Sequence, residues 1–349
     1  METRIDHDLA FMLQFQNVAW FEDGKVRILD RRIYPMETKF VECSTHTEVV
    51  QAIKDMVTQS GGPYLAATMG MVLAAFEMKE KNLNITERKD YMKKAADLIA
   101  NARPTTSSRM RNLVENSIKS ISEDDWNDVD KIIEKTKQYA IDEVSSRYKN
   151  IEKMGEIIVK KVPKGGTIMT QCFAETVIGM MCRKLREFGK EDVKFICPET
   201  RPYLQGARLT ASVINDMGFS VHVITDNMPG YIMKEKGVDL FTSASDMITK
   251  DGHIINKVGT FQIAALCNYH GIPYFVTGNP SEIHESIDTV KIEERNHVEV
   301  LSHLGTKVTM DGVKAYYPAF DITPPHLVSG VITSKGMYSS YNLEEYFND

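Results

Sequence analysis

The segment Thr167-Ile168-Met169-Thr170-Gln171-Cys172-Phe173-Ala174-Glu175-Thr176 decides the architecture: a short apolar strand, a brief turn and the opening of a helix. The same rhythm recurs downstream. Val193-Lys194-Phe195-Ile196-Cys197, Ser220-Val221-His222-Val223-Ile224, Leu240-Phe241-Thr242 and Tyr274-Phe275-Val276 read as strands, separated by amphipathic segments of helical length. Strands alternating with helices imply right-handed βαβ units and a mostly parallel, doubly wound α/β sheet. In such sheets ligands lie beyond the carboxyl ends of the strands, so the residues just after each strand are the first candidates for function.

Moving outward from that core, the charged run Tyr148 to Lys153 marks a change of pattern. Upstream of it the apolar spacing is helical, with Val49, Val50, Ile53, Met56 and Val57 in one run and Val129, Ile132, Ile133, Tyr139 and Ala140 in another. Before these, Val18, Trp20, Val26 and Ile28 alternate about Asp23-Gly24, which reads as a small β-hairpin. The expected organisation is therefore an N-terminal hairpin plus helical domain over residues 1–148 and a Rossmann-like α/β domain over 149–349. At 349 residues, the chain exceeds what one small core usually serves.

Composition narrows the class of ligand. Forty-two Lys and Arg against forty-eight Asp and Glu give a formal charge of -6, which does not support a general affinity for nucleic acid or anionic lipid. A phosphate would have to be held locally. The longest apolar stretch, Tyr64 to Phe76, is interrupted by Thr68 and Gly70 and falls short of the ~20 residues of a spanning helix. Early acids (Glu2, Asp6, Asp8) with no apolar segment after them do not resemble a signal peptide. Five irregularly spaced cysteines indicate neither a disulfide framework nor a zinc knuckle, and a reducing cytoplasm is the expected compartment.

Three post-strand segments could carry chemistry. Cys172 sits between a strand and a helix, where a helix dipole can lower a thiol's pKa and make it a usable base, although a buried structural thiol fits the position as well. Asp246 follows the apolar strand at Leu240; desolvation there would suit it to general-acid work, while a helix N-cap is the plain alternative. The run Glu199 to Thr210 places Arg201, Gln205 and Arg208 around an expected helix start, a possible anion site or an ordinary cap. No GxGxxG, Walker or HExxH pattern is present.

Taken in order, Arg103-Pro104-Thr105, the Cys172 segment, Arg201-Pro202-Tyr203-Leu204-Gln205-Gly206-Ala207-Arg208-Leu209-Thr210, Thr225-Asp226-Asn227-Met228, Asp246, Asn256-Lys257-Val258-Gly259-Thr260, Ile292-Glu293-Glu294-Arg295 and Pro318 to Pro324 resemble the methylthioribose-1-phosphate isomerase family. That family shares its fold with ribose-1,5-bisphosphate isomerases and the regulatory subunits of translation initiation factor 2B. The resemblance implies an aldose–ketose isomerisation of a ribose 1-phosphate derivative. Phosphate blocks the anomeric carbon in such a substrate, so the ring must open without a free aldehyde. By the same resemblance Cys172 moves the C2 proton, Asp246 protonates the ring oxygen or shuttles protons between oxygens, and Gly61, Gly62, Arg103, Gln205, Asn256 and Lys257 bind substrate. No metal or organic cofactor is implied, the partner is a sugar phosphate, and a homodimer is expected.

Three departures bear on the substrate. Ser60-Gly61-Gly62-Pro63 stands where family members usually have Arg-Gly-Ala-Pro, Gln171-Cys172-Phe173 where they have His-Cys-Asn, and Ala244-Ser245-Asp246 where they have Gly-Ala-Asp. The altered pocket leaves 5-methylthioribose 1-phosphate, 5-deoxyribose 1-phosphate or another 5-substituted analogue open. The rival readings are a non-catalytic regulatory or nucleotide-sensing protein of the initiation factor 2B type and a ribose-1,5-bisphosphate isomerase.

Overall fold

The computed structural model describes residues 4–103 and 107–348. The chain divides into two compact units, Met1–Lys149 and Asn150–Asp349.

In the first unit, a short helix α1 (Phe15–Val18) leads into β1 (Ala19–Glu22), and β2 (Lys25–Leu29) returns antiparallel across Asp23-Gly24. The expected hairpin thus exists, and β3 (Phe40–Cys43) adds a third antiparallel strand beside β2. Helices α2 (His46–Lys54), α3 (Gly62–Glu77), α4 (Ile85–Ala100), α5 (Ser107–Lys119) and α6 (Val129–Lys161) follow, the last divided between the two units. Capping boxes start α2 (Thr45 with Glu48) and α4 (Asn84 with Glu87), satisfying amide groups that a helix start leaves open. The apolar stretch Tyr64 to Phe76 is helix α3, which is buried from Leu65 to Ala75 on every face and therefore serves as the core of this unit. Among the described residues no helix is long and apolar enough to cross a membrane.

The second unit holds the doubly wound sheet that the sequence predicts. Its central strand β4 (Thr167–Gln171) runs parallel to β5 (Lys194–Pro198) on one side, and β6 (Ser220–Ile224) lies beyond β5. On the other side β4 pairs with β7 (Leu240–Ala244), also parallel. Two short antiparallel strands, β8 (Met247–Ile248) and β9 (Ile254–Lys257), branch off after β7. The main sheet resumes with β10 (Tyr274–Thr277), parallel to β7. A small hairpin of β11 (Ser302–His303) and β12 (Thr306–Lys307) precedes β13 (Phe320–Thr323), which pairs antiparallel with β9. Parallel β14 (Gly330–Ile332) and antiparallel β15 (Met337–Tyr338) close the main sheet. Its order is β15-β14-β10-β7-β4-β5-β6, so the winding reverses between β4 and β7.

Crossovers are made by α7 (Thr176–Glu187), by a π-turn Gly206–Thr210 continuing into α8 (Ala211–Asp216), by α9 (Pro229–Glu235) and by α10 (Thr260–His270). Met169, Phe241, Ile254, Ile263, Tyr274, Val276 and Val331 pack into one buried cluster of the second unit. Close packing of this kind holds the strands in fixed positions.

Candidate active site

The winding reversal makes the crevice past β4 and β7 the favoured ligand position of such a sheet. Thr170 is paired with Thr242 and Gln171 with Ser243, so the two strands end side by side. Cys172 is the residue after β4, and Asp246 lies two residues after β7. The N-cap alternative for Asp246 fails because no helix follows it; its amide donates to the Ile255 carbonyl at 2.9 Å, starting the β8–β9 hairpin. Asp246 is exposed.

Cys172 is held in an unusual conformation. Its φ is +61°, and Glu175 (+41°), Thr200 (+63°) and Leu204 (+59°) share the left-handed region around it. Non-glycine residues there cost about 1–3 kcal/mol each, which the surrounding hydrogen bonds must offset. The Cys172 amide donates to Thr200 Oγ1 at 3.2 Å, its carbonyl accepts from Thr210 Oγ1, and its Sγ accepts from Gln205 Nε2 at 3.3 Å. The turn that carries these partners is itself anchored: the Thr200 and Arg201 amides donate to the two carboxylate oxygens of Asp226 at 2.8 and 2.7 Å. Gly206 completes it, because a side chain there would overlap the Pro198 carbonyl oxygen.

Lys257, the last residue of β9, is buried and donates from Nζ to the Ala319 carbonyl at 2.8 Å, with the Phe320 ring 4.7 Å away. Cys172, Asp246 and Lys257 act on one another electrostatically. Burial is the largest influence on the thiol and raises its pKa, Asp246 raises it further, and Lys257 and the Gln205 amide oppose the rise without reversing it. The expected helix-dipole lowering is therefore overturned. Helix α7 begins only at Thr176, after the Phe173–Glu175 turn, so its dipole reaches the sulfur weakly. Burial likewise lowers the Lys257 pKa; Arg295 lowers it further, and Cys172, Asp246 and Glu293 work against that.

Gln205 is buried, and its Oε1 has no hydrogen-bond partner, as is also true of Gln171 Oε1 and Asp321 Oδ1. Gln171 closes β4, Gln205 lies in the turn after β5 and Asp321 lies within β13, and each leaves a buried acceptor without a donor. Asn256 is buried beside Lys257, and its Nδ2 donates to Thr260 Oγ1 at 3.0 Å, which ties it to the start of α10. Asp321 Oδ2 accepts from the Gly259 and Phe261 amides at 2.7 and 3.1 Å, and burial pushes its carboxyl pKa up to about 6.

Arg201 and Arg208 both donate to backbone carbonyls. Arg201 Nη2 reaches those of Ser302 (2.9 Å) and Val300 (3.3 Å) and so ties its turn to a distant loop, and Arg208 donates to the Tyr203 carbonyl at 2.9 Å within its own turn. Cys43, Cys182, Cys197 and Cys267 are buried within strands or helices, as structural thiols are.

The remaining expected binding residues belong to the first unit. Gly61 is the N-cap of α3 and Gly62 its first residue; the guanidinium of Arg147 lies where a side chain at Gly61 would go. Arg103 is half-buried in the loop after α4, and Pro104 and Thr105 of its motif lie outside the described residues. Sequence reasoning assigned no role to Thr200, Thr210, Arg147 or Phe320. Thr210, Phe320, Asp226, Glu293, Arg295 and Asp321 fall in segments of the family resemblance, which is the signal they carried. Among the described residues no group of three His, Cys, Asp or Glu could hold a metal ion.

A cysteine and an aspartate follow neighbouring strands at the switch point of this sheet, where doubly wound α/β proteins bind their ligands, and comparison with known proteins places the chain in a family. The chain belongs to the Initiation factor 2 subunit family, whose model matches residues 58–340. Within that family it is similar to a Pseudothermotoga lettingae protein named methylthioribose-1-phosphate isomerase 1, at 38% identity over 333 residues, 89% of this chain and 91% of the relative. Its fold is similar to 5-methylthioribose 1-phosphate isomerase from Pyrococcus horikoshii, with TM-score 0.84 and 28% identity over 96% of this chain and 98% of that one. It is also similar to translation initiation factor eIF-2B, subunit delta, from A. fulgidus, with TM-score 0.82 and 28% identity over 95% and 99%.

Proposed function

We propose that the chain is an aldose–ketose isomerase that converts a 5-substituted ribose 1-phosphate to the corresponding ribulose 1-phosphate, with 5-methylthioribose 1-phosphate as the first substrate and 5-deoxyribose 1-phosphate as its analogue. The observation that carries this reading is the meeting of Cys172, Gln205, Lys257 and Asp246 at one strand-end crevice, in a chain whose near relatives bear that isomerase name.

The reaction opens the ring, moves hydrogen from C2 to C1 and leaves a ketone at C2. It needs one group at the carbons and another at the oxygens. Cys172 takes the first role. Its thiol rests protonated, and the groups that favour the thiolate are the Lys257 ammonium and the Gln205 amide. Asp246 takes the second: an exposed carboxylate beside the crevice exchanges protons with water and with the ring oxygen. Lys257 also supplies positive charge where an oxyanion develops at C2, a stabilisation that grows as water is excluded. Asn256 and the unpartnered acceptors of Gln171 and Gln205 are assigned to the sugar hydroxyls. Gly61, Gly62 and Arg103 are assigned to substrate on the family resemblance alone. A cytoplasmic location and a homodimeric state belong to the same reading.

The likeness to the A. fulgidus initiation factor subunit favours one alternative, a regulatory protein that uses the crevice without chemistry. A product assay on a panel of 5-substituted ribose 1-phosphates decides between them. The isomerase reading expects ketose from 5-methylthioribose 1-phosphate, binding without turnover in Cys172→Ser, and a large rate loss in Asp246→Asn. Absence of ketose across the panel would refute it. Wild-type turnover by Cys172→Ser would remove the thiol from the mechanism.

A further inference from the structure

Three stretches of chain lie side by side at Lys257. Residues 293–295 run antiparallel to 317–319, through Arg295 N to the Tyr317 carbonyl (2.9 Å), Ala319 N to the Glu293 carbonyl (2.8 Å) and a bridge between Glu294 and Pro318. Strand β13 continues from that segment and sets Phe320 opposite Lys257 on β9. Side chains alternate along extended chain, so Glu293 and Arg295 share a face. Arg295 Nε meets Glu293 at 3.0 Å, and the Arg295 guanidinium lies 5.7 Å from the centre of the same Phe320 ring that carries the Lys257 ammonium at 4.7 Å. One ring therefore holds two cations, one of them buried and facing the thiol's surroundings.

We propose that Arg295 is a positioning residue for the reaction: its guanidinium, packed on the same Phe320 ring as the Lys257 ammonium, helps set the charge environment of Lys257 and, by way of Lys257, that of Cys172. The inference rests on Cys172 being the reacting thiol. The charged and titratable groups acting on Lys257 are Cys172 from the turn after β4, Asp246 from the β7–β8 connection, Asp321 from β13, and Glu293 and Arg295 from the facing segment. Among the described residues, Arg295 is the cation of that set, and its charge disfavours the Lys257 ammonium. Removing its charge therefore lets Lys257 keep its proton to higher pH. A Lys257 that stays charged stabilises the thiolate, so the thiol ionises at lower pH. The two cations are no farther apart than their ring distances together allow, about 10 Å. At that range a unit charge shifts a partly buried group by roughly 0.5–1 pH unit.

The test is the pH dependence of Cys172 alkylation by iodoacetamide, with the labelled site confirmed by peptide mass. Cys172 is partly exposed whereas the four other cysteines are buried, so Cys172 is the thiol open to the reagent. Arg295→Met is expected to move the midpoint down, by at most the roughly 0.5–1 unit by which the charge moves Lys257, and Arg295→Lys to keep it at the wild-type value. Glu293→Gln removes the charge that helps Lys257 hold its proton and is expected to move the midpoint up. In a Lys257→Met background neither substitution should move it. An unchanged midpoint in Arg295→Met, or the same shift without Lys257, overturns the proposal and leaves Arg295 as a loop tie. Should Arg295→Met fail to fold, the isosteric Glu293→Gln decides alone, an unmoved midpoint counting against the proposal. The readout needs no substrate, so an absence of ketose would refute the isomerase reading while the alkylation shift still stood or fell by itself.

Discussion

Gly206→Ala is the sharpest probe of how this site is held. Gly206 follows Gln205 and opens the π-turn that leads into α8. A methyl group there would meet the Pro198 carbonyl oxygen well inside contact distance, with Thr200 Oγ1 at 2.7 Å. Ordinary carbon–oxygen contact lies near ~3.5 Å, so something must move by about 1 Å or more. Pro198 cannot yield readily, because it is the last residue of β5 and is paired with Ile224 of β6. The π-turn must yield instead, and it carries Gln205, whose amide donates to the Cys172 thiol at 3.3 Å. Overpacking of this kind costs typically 1–3 kcal/mol. In a unit of some 200 residues that corresponds to a melting temperature lower by roughly 2–10 °C. Losing the Gln205 contact removes a group that favours the thiolate, and at about 1.4 kcal/mol per decade the expected fall in turnover is roughly tenfold. Calorimetry and the alkylation rate of Cys172 measure the two effects separately. A Gly206→Ala protein that melts and alkylates like wild type would refute the account of Gly206 and of Gln205 together.

Asp321 gives a pH signature. Its folded-state pKa of about 6 lies above the ordinary 3.8, so the folded chain prefers the protonated form. Stability is therefore highest below the ordinary value and falls as pH rises from about 4 to 6, by up to about 3 kcal/mol. Asp321→Asn keeps an oxygen for the Gly259 and Phe261 amides and cannot ionise. Its melting temperature relative to wild type should climb across that window and level off above it, and a pH-independent difference would contradict the burial argument. Asp226→Asn puts an amide donor against one of the two backbone amides it now accepts, at Thr200 or Arg201. Losing one hydrogen bond to a charged group costs about 1.5–3 kcal/mol; calorimetry should show that loss together with faster proteolysis of the 199–205 turn, and an unchanged melting temperature would argue against the anchoring role.

Much of the parallel sheet was legible because β4, β5, β7 and β10 are apolar runs buried on both faces, and the post-strand positions of Cys172 and Asp246 follow from that reading alone. The small sheet was not legible. Strand β9 contains Asn256 and Lys257, β13 contains Asp321, and β8 has two residues, so no alternation survives to be read. The thiol's electrostatics were misjudged for a related reason. Whether a helix dipole reaches Cys172 depends on where α7 starts, and that start is delayed by a turn in which Glu175 adopts a positive φ that its residue type does not announce. The arginines at 201 and 208 drew attention as cations near a helix, whereas Arg295, distant in the chain from both Cys172 and Lys257, acts through a ring that only the pairing of 293–295 with 317–319 brings alongside. What the sequence hides here is the charge environment, because it is set by pairings between extended segments that carry polar residues and therefore show no hydrophobic period. Cys172 is marked by its strand, whereas the charges around it come from residues that no strand pattern marks.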